Sequence, residues 1–154
     1  MTQLKLTINE TKTDIRRLPQ ERFDFLGYSF GRYYSSKTGQ AYLCAQPSKK
    51  SVKRMIGKIR EATERRMLGL RPEDVVKRLN RMLIGWANDF SLGPVRKAYR
   101  AIDHYAAPRL RRRLCNKHKV SNTGARDFPY EHLYGNLGLV QLQPSAHNLP
   151  SAKA

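Results

Sequence analysis

The sequence predicts a mainly α fold, α+β overall, in which an N-terminal β-hairpin leads into a three-helix bundle. Three observations carry that prediction. The first 47 residues are dominated by aromatics, glycine and alternation, the pattern of a pleated, half-buried surface. From Ser48 onward, apolar residues recur at the three-and-four spacing of a single helix face. Punctuation at Gly69 with Pro72, and at Gly93 with Pro94, divides that stretch into three.

The hairpin is read over residues 21–46. FDFLGYSFGRYY (23–34) forms one strand, SSKTG (35–39) is a turn cluster, and QAYLCA (40–45) is the return strand. Ser48 is the N-cap of the first helix, whose inner face is Val52, Met55, Ile56, Ile59, Ala62 and Thr63, with Gly69 as its stop. The second helix opens at Pro72, with Glu73 and Asp74 beside the positive end of its dipole. Its stripe is Val75, Val76, Leu79, Met82, Leu83, Trp86 and Phe90. Gly93 closes it and Pro94 opens the third helix, which carries Val95, Tyr99, Ile102, Ala106, Leu110 and Leu114. Pro108 lies inside that helix, where the missing N–H and the ring predict a kink or a break. After the loop SNTGARDFP, the short apolar segment YEHLYGNLGLVQL is expected to pack back on the bundle, completing a helical unit over 47–142. Disorder is expected for the tail, 143–154.

Charge narrows the function. The 154 residues hold only 34 Leu, Ile, Val and Phe, a lean core for one domain, against 30 Lys and Arg and a net charge of +18. Of those 30 basic residues, 21 lie between Lys49 and Lys119 with only 6 of the 12 acidic ones, so the excess belongs to the helices. A compact fold with this self-repulsion calls for a polyanion, and nucleic acid leads. Cys44 and Cys115 are too far apart in sequence for a metal-ligand pattern; two reduced thiols are favoured over a single disulfide. No apolar run spans a membrane and no secretory signal opens the chain, so a cytoplasmic location without a membrane partner is expected.

Enzyme signatures are missing. GxxxxGK[ST], GxSxG and HExxH do not occur, and no acidic cluster would hold two metals. The four histidines are scattered, and Asp103 beside His104 reads as a helix-surface pair because neighbours on a helix point about 100° apart. Neither catalysis nor a cofactor nor a metal is expected of this chain. What stands out is three basic clusters: Lys49, Lys50, Lys53 and Arg54 on the first helix; Arg96, Lys97 and Arg100 at the start of the third; and Arg109, Arg111, Arg112, Arg113, Lys117 and Lys119 at its end. A decorative solvated face mixes signs, and helix C-capping accounts for one or two cations, so phosphate contact is the better reading. Trp86, between Leu83 and Phe90 on the apolar stripe, reads as core. Tyr33 and Tyr34 flank the hairpin turn, where an exposed ring could stack on a base.

FDFLGYSF (23–30), PSKKSVKRMIGKIRE (47–61), LNRMLIGWANDF (79–90) and AYRAIDHYAAPRLRRRLCNKHK (98–119) together resemble the C-terminal part of bacterial group II intron-encoded reverse transcriptase/maturases. The resemblance covers roughly residues 4–142, and the GWANDF block is its most specific part. KLTINETKT (5–13) resembles the end of the polymerase palm, so residues 1–20 are expected to be a palm remnant. FDFLG resembles the last reverse-transcriptase block, and the chain from 47 onward the thumb, or maturase-specific domain. The resemblance implies a thumb-like helical bundle that grips intron RNA or a template–primer duplex. It places Lys49, Lys50, Lys53 and Arg54, and Arg109, Arg111, Arg112, Arg113 and Lys117, toward phosphate. Trp86, Leu79, Leu83 and Phe90 become core.

The departures shape the functional expectation. No Tyr-Ala-Asp-Asp occurs, the family's fingers have no counterpart, and nothing after 142 resembles an HNH or DNA-binding module. The leading expectation is an RNA-binding maturase-type module that binds group II intron RNA and supports its splicing. One alternative is the thumb subunit of a split reverse transcriptase, with Leu4, Leu6 and Ile8 joining the sheet of a separately encoded palm/fingers polypeptide. The other is a remnant of a truncated mobile element.

Overall fold

The computed structural model describes residues 21–35 and 37–143. The palm-like segment 1–20 and the tail from Pro144 lie outside the described residues. Three antiparallel strands are followed by helices, in the order β1 (Phe23–Phe25), β2 (Tyr28–Tyr34), β3 (Ala41–Pro47), α1 (Lys49–Ala62), α2 (Pro72–Asp89) and α3 (Arg96–His118). A 3-10 turn (Arg65–Met67) lies between α1 and α2, and a π-helical turn (His132–Asn136) follows α3.

The first strand of the expected hairpin is itself folded in two. Phe25 pairs with Tyr28 across a two-residue turn in which Leu26 and Gly27 both have positive φ, 48° and 83°. Such a turn matches strand twist only with both central residues left-handed, a conformation that glycine adopts freely and leucine does not. Strand propensity alone cannot see the break, because aromatics run on either side of Leu26-Gly27. The second hairpin pairs Tyr34 with Ala41 and Tyr28 with Pro47, so the sheet is a three-stranded meander in the order β1-β2-β3.

The meander is fastened to the end of α2. The Tyr28 hydroxyl donates to the Asp89 carbonyl at 2.9 Å, and the Tyr28 ring lies 5.1 Å from that of Phe90. A Cβ on Gly27 would stand 2.8 Å from the Phe90 ring, so the turn fits only because that position is bare. The Ser48 N–H donates to the Gly27 carbonyl at 2.8 Å, which ties the same turn to the start of α1. FDFLG and GWANDF, far apart in sequence, therefore meet.

The helices follow their stripes. Ser48 caps α1, its side chain accepting from the Ser51 N–H at 3.2 Å. Met55, Ile59 and Ala62 of α1 meet Val75, Val76, Leu79, Leu83 and Trp86 of α2 and Tyr99, Ile102, Ala106, Leu110 and Leu114 of α3 in one core. Trp86 is buried, stacked on Phe90 at 4.7 Å and edge-on to Tyr99 at 5.9 Å. The segment after the loop packs back as expected, burying Leu133, Leu139 and Leu142.

Two expectations are corrected. α1 ends at Ala62 rather than near Gly69, because the Thr63 hydroxyl donates to the Ile59 and Arg60 carbonyls (2.8 and 3.2 Å) and satisfies the helix end early. α3 runs unbroken through Pro108. Pro108 and His104, the residue whose carbonyl loses its helical partner, are both on the exposed side, while Ala106, Ala107 and Leu110 hold the helix in the core. Cys115 is buried, Cys44 half-buried, and both are free thiols.

Candidate nucleic-acid interface

The two basic clusters at helix starts are solvent-exposed. Lys49, Lys50, Lys53 and Arg54 project from the first turns of α1, and Arg96, Lys97 and Arg100 from those of α3. Neither first turn contains an acidic residue. Cations at a helix N-terminus oppose the macrodipole, each at a cost of about 0.3–1 kcal/mol. α2, by contrast, carries Glu73 and Asp74 there, as dipole stability favours. The first-turn cations Lys49, Lys50, Arg96 and Lys97 are thus placed against the stability of their own helices.

Those helix starts also frame two depressions. Arg54 lines one beside Leu26, Gly27, Trp86 and Phe90, together with Lys58, one turn further along α1, which the sequence reading passed over. The other, about 780 Å³, lies between α3 and the C-terminal segment; Arg96, Arg100 and His104 form one wall and Tyr130, Tyr134 and Gln141 another. In it Asp103 turns to the backbone and accepts from the Leu142 N–H at 3.1 Å. Burial pushes its carboxyl up to about 6, with the Leu142 N–H and His104 pulling the other way. It serves the fold and forms no dyad with His104.

The third cluster divides. Arg113 is 1 % exposed; its Nη2 donates to the carbonyls of Met67 and Leu70 at 2.8 and 2.9 Å. It faces the α1–α2 connection, which corrects the expectation that it faces phosphate in solvent. The Met67–Leu70 segment leaves carbonyls that no helix satisfies, and a buried guanidinium supplies the donors. Lys117 joins it, donating to the Leu70 carbonyl at 2.6 Å. Arg109 donates to Thr63 Oγ1 and to the Arg60 carbonyl at the end of α1 (3.3 and 3.4 Å). Arg111 donates to the Phe128 carbonyl at 2.8 Å and lies over the Tyr130 ring at 4.4 Å. Arg112 and Lys119 are exposed, Lys119 as the left-handed C-cap of α3.

Arg60 and Arg65, which the sequence reading did not single out, stand beside Arg109 and Arg112 across a cleft. They fall outside the runs that drew attention, although their counterpart on α3, every-fourth spacing from Arg109, was in view. Of the two tyrosines at the turn, Tyr34 is exposed, with Arg32 5.7 Å from its ring, whereas Tyr33 is half-buried under Arg22. Among the described residues no group of three His, Cys, Asp or Glu comes together, and no helix is long and apolar enough to cross a membrane.

A comparison with protein families matches residues 52–128, half of the chain, to "Group II intron, maturase-specific domain". The chain belongs to that family. A search of curated proteins returns no match. The matched span runs from the first turns of α1 through α2 and α3 to Phe128, so the maturase-specific domain here is the helical bundle that displays the basic clusters. The role is that of a group II intron maturase, with RNA as the general class of partner, and a maturase-specific domain by itself is not a polymerase active site.

Proposed function

We propose that this maturase-specific domain binds group II intron RNA through phosphate contacts and supports its splicing without catalysing a chemical step. The observation that carries this reading is the exposure of seven cations, Lys49, Lys50, Lys53, Arg54, Arg96, Lys97 and Arg100, in the opening turns of two helices, four of them (Lys49, Lys50, Arg96 and Lys97) in the first turn, where the dipole disfavours them. Phosphate offsets that penalty, and Arg112 and Lys119 extend the same field along α3. Binding of this kind holds and orients RNA, and base selection comes from shape and unpaired nucleotides.

The test is RNA affinity across a salt series, with a folded group II intron RNA compared to a random RNA of equal length. Contact with about six phosphates gives a slope of log K against log salt of roughly −4 to −5. The intron RNA should remain preferred at physiological salt. Equal binding of both RNAs, lost entirely as salt rises, would sink the maturase reading.

One further observation favours a protein partner as well. Phe25, Leu26 and Leu43 on the meander are 58 %, 81 % and 60 % exposed, an apolar set that a separately encoded palm/fingers polypeptide would cover. A palm fragment that co-purifies with the chain and loses binding on Leu43→Lys would support the split-enzyme alternative.

A further inference from the structure

The cleft between α3 and the end of α1 has a volume of about 320 Å³ and five guanidinium groups on its walls: Arg60, Arg65, Arg109, Arg112 and Arg113. One carboxylate shares it, Glu64, and that carboxylate is held 2.9 Å from Nε of Arg66, outside the lining. The capping role described above uses Arg109 and one nitrogen of Arg113. Among the described residues it leaves the side chains of Arg60, Arg65 and Arg112 with no hydrogen bond or ion pair, and Nε and Nη1 of Arg113 buried without partners. Burial also pulls the Arg113 guanidinium down from its usual pKa, the direction expected of a charge deprived of water.

Unsatisfied buried donors are rare in folded proteins and call for an acceptor. Several arginines lining one small space suit phosphate, which accepts from several directions at once; a single carboxylate would leave most of them unmet. The Thr63 hydroxyl does not compete, since it already donates to α1 and accepts from Arg109.

We infer that the cleft walled by Arg60, Arg65, Arg109 and Arg112 over Arg113 is a discrete phosphate-binding site, occupied by a phosphodiester of the bound RNA backbone. The choice of RNA as source rests on the function proposed above; the phosphate chemistry rests on the cleft alone. A seated phosphate pairs with Arg65 and Arg112 at the mouth and neutralises the Arg113 charge at the floor. It thereby joins the α1–α2 connection to α3, so that RNA binding stiffens the bundle at the place where these elements meet.

The experiment uses the whole chain and the variant Arg65→Gln/Arg112→Gln, both exposed positions without structural bonds. Inorganic phosphate is titrated at constant ionic strength against chloride, and the amide and guanidinium Nε–H resonances of Arg65, Arg112, Asn116 and Arg113 are followed by NMR. Saturable shifts at these residues are expected, with affinity at least tenfold weaker in the double variant. RNA should displace the phosphate, and the double variant should show a salt slope shallower by about two. No saturable shift with phosphate overturns the site, whether or not RNA binds. Saturation by phosphate that RNA fails to displace overturns the RNA backbone as occupant. Phosphate saturation in a chain that binds no RNA at all overturns the proposed function while leaving the phosphate site standing.

Discussion

Arg112 and Arg113 are neighbours of identical chemistry, and the structure predicts opposite consequences for replacing them. Arg113→Ala removes a charged donor from the Met67 and Leu70 carbonyls, of which the first keeps the Leu70 N–H and the second keeps Lys117. Losing hydrogen bonds from a charged donor costs about 1.5–3 kcal/mol. Loss of the two buried methylenes beyond Cβ adds about 1.6 kcal/mol at roughly 0.8 per methylene. Release of a desolvated guanidinium with two unpaired nitrogens offsets part of this, leaving about 2–4 kcal/mol net, or a fall in Tm of roughly 10 °C for a domain of this size. Arg113→Met, which keeps the stem, should cost less than half as much. Arg112→Ala should leave stability within about 0.5 kcal/mol of wild type and make the RNA salt slope shallower by about one. Thermal and urea melts followed by circular dichroism, paired with the RNA salt series, measure both. An Arg113→Ala protein that melts with wild type but loses a unit of salt slope would refute the structural role assigned to Arg113.

Other perturbations separate core, cap and titration. Trp86→Ala, which removes the ring that joins Phe90 to Tyr99, should cost about 3–5 kcal/mol and loosen the meander along with α2, visible as loss of near-ultraviolet circular dichroism and of cooperative melting. Lys119→Gly relieves a left-handed non-glycine cap at φ 56° and should raise stability by up to about 1 kcal/mol in urea unfolding while removing one exposed cation from the salt slope. Asp103 holds its proton up to about pH 6 in the folded chain and releases it near 3.8 when unfolded, so its favourable contribution is complete below 3.8 and is lost as pH rises through about 6. Asp103→Asn should therefore gain stability relative to wild type between pH 4 and pH 7, read as a widening Tm difference; a constant difference would remove Asp103 from the pH response.

The apolar stripes were legible because burial on a helix is a property of spacing. Every residue of the α3 stripe from Val95 to Leu114 is buried, and Trp86 is core rather than an exposed stacking platform. The meander was half legible. Aromatic alternation marks strands but does not register a turn at Leu26-Gly27 when one of its two residues is a leucine, and the reason glycine is needed there, the Phe90 ring, lies 63 positions away. Of the kink or break expected at Pro108 the break does not occur, because a proline's effect depends on which side of the helix it faces, and that is decided by the packing of Ala106, Ala107 and Leu110.

The charged cluster shows where one-dimensional reading stops. In the run Arg111-Arg112-Arg113 each residue turns about 100° from the last, so the three arginines address three environments: the Phe128 carbonyl and Tyr130 ring, the open side of the cleft, and its buried floor under the α1–α2 connection. Composition assigns them one role because it counts charge, whereas function follows what each charge can reach. A guanidinium with carbonyls within 3 Å is already a structural donor, and replacing it changes folding before it changes binding. The cations free to exchange water and counterions for phosphate are those at the helix starts and at the mouth of the cleft, where nothing in the described fold holds them. Any alanine scan of this domain that pools the arginine run will therefore mix unfolding with lost contact, and only the pairing of a stability measurement with a salt slope at each position resolves the two.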